Sequence, residues 1–138
     1  MRFFDASALV KRYVREQGST QVRRKLADGD VVVARLSDVE VVSAFARLTR
    51  ERAMSASQRD RAVSAFTTDL AAWTVVEMTS EVTRAARRLL LRHPLRAGDA
   101  IQLGSALVLQ ESVGTLDSFV AYDARLLDAA RTEGLRVG

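Results

Sequence analysis

Four short runs rich in β-branched and aromatic residues, each followed by a longer stretch with helical spacing, constrain this chain more than anything else in it. The runs are "RFF" at residues 2–4, "VVVAR" from Val31, "WTVVEM" at residues 73–78 and "SFVAYD" at residues 118–123. Strands separated by helices cannot form tight hairpins. They pair in parallel instead, and a parallel sheet needs both faces covered. The spacing predicts helices over about residues 6–15 and 19–27, broken by Gly18, then 37–52 with Ser37 as cap, and 57–70. Thr79 caps a basic helix, "SEVTRAARRLLLRH", that Pro94 stops; an almost wholly apolar helix follows over about 97–111, and a last one over 124–132. "LRVG" reads as the start of a fifth strand. The expected fold class is α/β: a central, mainly parallel sheet of four to five strands flanked by helices in three layers, with residues 1–138 as one domain.

Composition excludes more than it selects. The longest stretch without a charged residue, residues 100–110, is far too short to span a bilayer, and Asp5 and Lys11 interrupt the apolar start that a secretory signal would need. The expected compartment is the cytoplasm, with no membrane contact. The absence of cysteine excludes disulfides, thiolate metal sites and a cysteine nucleophile. The formal net charge is +4, and every basic residue except Lys11 and Lys25 is arginine, whose planar fork suits phosphate groups. A polyanionic partner fits that balance; solvated helix faces are the competing account.

Three aspartates fall where such a sheet binds ligands, at the carboxyl ends of its strands. Asp5 ends the first strand, Asp123 ends the fourth, and Asp99 opens the apolar helix in "RAGDAIQLGSAL". In "SDVEVVSAFARL", Val41, Val42, Phe45 and Leu48 form an apolar stripe with Glu40 beside its margin, facing a cleft rim. Each acid has an ordinary reading as well: the aspartates as N-caps, and Glu40 as a first-turn glutamate favoured by the helix dipole. Taken together, four carboxylates at one sheet edge repel one another unless a cation or protons intervene, and hard divalent cations with oxygen ligands are the natural remedy.

The segments "FDASALVKRYVRE", "SDVEVVSAFAR", "LRAGDAIQLGSALVL" and "FVAYDARLLDAA" resemble, in order and over nearly the whole chain, the PIN-domain proteins, and within them the VapC-type toxins of type II toxin–antitoxin pairs. The resemblance implies a PIN fold, an endoribonuclease dependent on Mg²⁺ or Mn²⁺ that cleaves tRNA or rRNA, a homodimer, and a small cognate VapB-type antitoxin. Its acidic set falls on Asp5, Glu40, Asp99 and Asp123, as metal ligands and catalytic residues, with Ser7 as the hydroxyl supporting the first aspartate. One position departs: the family often carries Thr or Ser two residues before the last aspartate, where this chain has Ala121.

In the expected mechanism the acids hold one or two ions that activate water for attack on an RNA phosphodiester. Asp5 and Asp99 are the core ligands. Arg47, Arg50 and Arg52 close one helix, and Arg84, Arg87, Arg88, Arg92 and Arg96 lead up to Asp99; Arg47, Arg88, Arg92 and Arg96 are the candidate nucleic-acid contacts. Asp38, Asp117 and Asp128 read as cap, turn and solvated-face residues, with Asp117 near enough to the fourth strand to be a spare ligand. His93, beside Pro94 at a helix end, has a dipole-compensating or surface role. Trp73, Phe45, Phe66 and Phe119 read as core or dimer-interface aromatics. Val22, Leu26, Val63 and Phe66 are expected to form an apolar groove for an antitoxin segment. The alternatives are a non-catalytic PIN-like module that binds RNA or a partner, and a PIN nuclease outside any toxin–antitoxin pair.

Overall fold

The computed structural model describes residues 1–138. Its elements run β1 (Arg2–Phe4), α1 (Ala6–Tyr13), α2 (Ser19–Ala27), β2 (Val31–Ala34), α3 (Ser37–Arg50), α4 (Ala56–Ala72), β3 (Thr74–Val76), α5 (Ser80–Arg92), α6 (Ala97–Val113), β4 (Ser118–Val120) and α7 (Ala124–Thr132). The four strands form one parallel sheet in the order β3-β2-β1-β4. From β1 the chain builds outward through β2 and β3, then crosses to the far side of β1 to lay down β4. The switch point therefore lies between β1 and β4, where an open parallel sheet binds its ligands.

Strand periodicity divides the core between the two faces. Phe3, Val32, Ala34, Phe119 and Ala121 point to one face, packing with Ala86 and Leu89 of α5, Leu103 and Ala106 of α6, and Leu126 and Ala130 of α7. Phe4, Val31, Val33 and Val120 point to the other, against Leu9, Val22, Val41, Phe45 and Phe66 from α1 to α4. Phe3 stacks on Phe119 across the β1–β4 pair, with ring centroids 5.5 Å apart.

Several expectations need correcting. Ser37 does not cap α3: Leu36 is the cap residue, in helical conformation, and Ser37 is buried inside the helix. The first turn closes on backbone carbonyls instead, with Asp38 N donating to Arg35 O and Glu40 N to Leu36 O. The cap of α4 is Ser55, which exchanges two hydrogen bonds with Gln58 and starts the helix one residue earlier than its spacing suggested. The third and fourth strands are only three residues each, because pairing ends where their neighbours end. "LRVG" does not become a fifth strand; it makes a single bridge, Val137 to Phe119.

Of the four residues expected to line an apolar groove, Val22, Leu26 and Phe66 are buried and only Val63 stays partly exposed, so they do not form it. Their stripe packs on the sheet face, which local periodicity cannot distinguish from an exposed one. Phe45, Phe66 and Phe119 are fully enclosed, and Trp73 packs against the core from its edge. His93 is neither on the surface nor only a dipole partner: its Nε2 lies 2.7 Å from Glu133 Oε2, and both side chains are largely enclosed. Asp117 precedes β4 at the opposite, amino edge and pairs with the Met1 amine, so it is no spare ligand. No helix is long and apolar enough to cross a membrane.

Candidate active site

Asp5 follows β1 directly, and its backbone N–H donates to the Val120 carbonyl (3.1 Å), tying the end of β1 to the end of β4. Its side chain is the N-cap of α1 and accepts from Ala8 N at 2.9 Å. The Ser7 hydroxyl spans the same carboxylate, 2.8 Å from Oδ1 and 2.9 Å from Oδ2. Asp123 likewise caps α7, accepting from Leu126 N at 3.0 Å. For these two acids the cap reading holds, and a cap at a strand's carboxyl end also turns its acid toward the edge where such a sheet binds ligands.

Asp99 is not a cap. Arg96 occupies that position, and Asp99 sits in the first turn of α6. Glu40 is half-buried in the first turn of α3 and accepts from the amide of Gln102, with Nε2 to Oε1 at 2.8 Å. The same nitrogen lies 3.0 Å from Ser37 Oγ.

Asp5, Glu40, Asp99 and Asp123 line one cleft of about 620 Å³, together with Ser7, Arg96 and Arg125. Their charges act on each other. Burial pushes Asp5 up to about 7, the charges of Asp99 and Glu40 add to the rise, and the Ala8 N–H and Ser7 hydroxyl oppose it. Burial also raises Glu40, assisted by Asp99 and opposed by the Gln102 amide. Asp99 is raised by burial and by Asp123, against the nearby backbone N–H and charge of Arg96. Three acids whose ionisation is disfavoured by burial and by neighbouring carboxylates are stabilised by a cation placed among them.

No three of the acids stand close enough to ligate one ion directly between them. Mg²⁺ keeps several waters and takes few protein oxygens, so acids that cannot all reach one ion can still hold it through water. The all-oxygen donor set fits Mg²⁺ or Mn²⁺ and excludes a thiolate-type zinc site.

A second recess of about 420 Å³ adjoins the first, shares Ser7, Glu40 and Asp123 with it, and adds Lys11 and Arg47. Of the four candidate arginines, Arg96 lines the acid cleft and Arg47 the adjoining recess. Arg88 is exposed on α5, and Arg92 is paired with Glu133 at 3.4 Å. Sequence reasoning missed Gln102, Lys11 and Arg125. Lys11 follows Ser7 by four residues and Gln102 follows Asp99 by three, so helical spacing placed each on its neighbour's face. Arg125 carried no signal beyond adjacency to Asp123. Ala121 is buried in the core, where a hydroxyl would need a partner.

The family description "PIN domain" matches residues 2–132 of the chain. Ribonuclease VapC45 of Mycobacterium tuberculosis is 36% identical over 138 residues, covering 98% of this chain and 92% of that protein. The fold is similar to the crystal structure of Mycobacterium tuberculosis VapC20, described as a sarcin–ricin loop cleaving toxin. The TM-score is 0.66 at 17% identity, over 94% of this chain and 95% of that one. It is also similar to a toxin–antitoxin complex from Klebsiella pneumoniae, with a TM-score of 0.65 at 12% identity over 91% and 88% of the two chains. From a match to the family over residues 2–132 and to a ribonuclease over 98% of the chain, on a fold with an acid cleft at its switch point, it follows that the chain belongs to the PIN domain family, among its VapC-type ribonucleases.

Proposed function

We propose that this chain is the toxin of a type II toxin–antitoxin pair, an endoribonuclease that cleaves phosphodiester bonds of tRNA or rRNA with Mg²⁺ or Mn²⁺ in the acid cleft. The observation that carries the reading is the convergence of four carboxylates from separate parts of the chain on the β1–β4 switch point. The 36% identity to a VapC ribonuclease supports the reaction class. Asp5 and Asp99 are the core ligands, and Glu40 and Asp123 complete the set through water. When bound, the divalent cation neutralises the acids and polarises the phosphate.

The chain's own residues supply the rest. Ser7 fixes the rotation of the Asp5 carboxylate by donating to it. Arg96 and Arg125, on the wall of the same cleft, attract the RNA backbone and orient the scissile phosphate. No histidine serves as acid or base, since His93 is engaged with Glu133. The cognate partner in this reading is a small VapB-type antitoxin, the assembly is a homodimer, and the site of action is the cytoplasm, where the RNA is.

The test is cleavage of tRNA and rRNA fragments by the purified protein with Mg²⁺, with Mn²⁺ and with EDTA, beside Asp5→Asn and Asp99→Asn. Cuts that need the metal and drop on the order of 10²–10³-fold in both variants are expected. Undiminished cleavage in either variant with an unchanged fold rejects the ligand assignment.

A further inference from the structure

Gln102 is the one fully buried large polar side chain of the protein, and its surroundings do not explain it as packing. It lies on α6, where its neighbours Leu103, Gly104, Ser105 and Ala106 are also buried. Its amide nitrogen reaches two oxygens on α3, Glu40 Oε1 at 2.8 Å and Ser37 Oγ at 3.0 Å. Its own Oε1 has no hydrogen-bond partner in the protein. An enclosed carbonyl without a donor forfeits its hydration for nothing, so a methionine or leucine would serve the core better. An amide retained at such a cost points to a task at the site it touches.

Hydrogen-bond chemistry permits only one orientation. With the amide turned over, its carbonyl oxygen would face the Glu40 carboxylate, and for Glu40 ionised, as a group that holds a metal ion must be, no hydrogen would lie between them. Gln102 therefore holds Glu40 by Oε1 and leaves Oε2 free. That second oxygen points at the first turn of α6: a Cβ on Gly98 would come within 3.0 Å of it. The same turn carries Asp99. One helix thus contributes an acid to the cleft and, one turn further on, the group that aims a second acid at it.

We propose that Gln102 is a positioning residue, which clamps Glu40 to α6 so that Oε2 alone faces the cleft beside Asp99, while Gly98 leaves that oxygen its room. The proposal rests on the reading that Glu40 serves the divalent cation of the cleft.

The experiment is calorimetric titration of Mn²⁺ into the RNA-free protein, with cleavage kinetics and thermal melting, on Gln102→Met, Gly98→Ala and Glu40→Gln. Gln102→Met keeps the volume of the side chain and removes its donor. Expected are a melting temperature within about 4 °C of the parent and Mn²⁺ affinity lowered about 10-fold or more. The drop in kcat should be comparable, and KM for RNA should change less than about twofold. Gly98→Ala leaves Gln102 in place and crowds Oε2, so it should lose Mn²⁺ affinity in the same selective way. If Gln102→Met retains affinity and kcat while Glu40→Gln loses both, the clamp is wrong and the role of Glu40 stands. If Glu40→Gln loses neither, the reading of the cleft fails at Glu40 and the clamp falls with it. If Gln102→Met loses affinity only as it loses its fold, and Gly98→Ala binds Mn²⁺ normally, the clamp is also overturned.

Discussion

Asp5 accepts the Ala8 N–H in the first turn of α1 and also lines the acid cleft, and its burial gives those two roles opposite consequences. The folded protein holds the Asp5 proton up to about pH 7, whereas the unfolded chain releases it near 3.8. The stability that comes from the protonated form is therefore complete below about pH 3.8, declines between there and 7, and is gone above. Ionised Asp5 without a cation costs at most about 4 kcal/mol by that shift. Glu40 and Asp99 are raised as well and act in the same direction. Denaturant midpoints should then show Mn²⁺ stabilising the protein more at pH 8 than at pH 5. Asp5→Asn, which keeps an acceptor for Ala8 N, should stabilise the metal-free protein at pH 8 and not at pH 4. A gain of equal size at both pH values contradicts the burial argument.

At the scale of elements, α5 and α6 approach each other closely at Gly104. A Cβ on Gly104 would lie 3.2 Å from both Ala86 N and Val82 O, so the two helices cross with backbone nearly in contact. Gly104→Ala should destabilise the fold by about 1–3 kcal/mol through overpacking, read as a lower denaturant midpoint at unchanged slope. Ser55→Ala, which removes half of the α4 capping box, should cost about 1 kcal/mol and leave cleavage intact, because α4 lies away from the acid cleft. Element type was legible from periodicity throughout, and the ends were less so. Ser37 has the residue type of a cap, yet it is buried because α6 brings Gln102 against it from 65 positions away. No local rule contains that contact.

For the whole molecule, charge and topology set the partner and its place. With a net charge of +4 and Arg96 and Arg125 on the cleft wall, RNA affinity should fall steeply with salt. Each phosphate contact removed should flatten the log–log slope by roughly 0.7 for a single strand. Arg96→Ala and Arg125→Ala should each show that change in fluorescence binding isotherms taken over a salt series. Arg92→Ala should show less, since Arg92 is already paired with Glu133. Equal slopes for all three variants would mean that the cleft wall does not track the backbone.

By itself the sequence determined the alternation of strand and helix, the parallel sheet that follows from it, the residues at the strands' carboxyl ends and the family to which their order belongs. Those properties are short-range: a pleat of two, a helical turn of 3.6 and a cap of three residues are written where they act. Only the tertiary structure decided that β4 lies beside β1, which brings Asp123 and Asp5 to one cleft from opposite ends of the chain. It also decided that the apolar stripe of α2 is core rather than groove, that Asp117 faces the wrong edge, and that Gln102 meets Glu40. Burial, and the shifts in proton affinity that come with it, depend on what the far parts of the chain place around a group, and no window of local sequence carries that information.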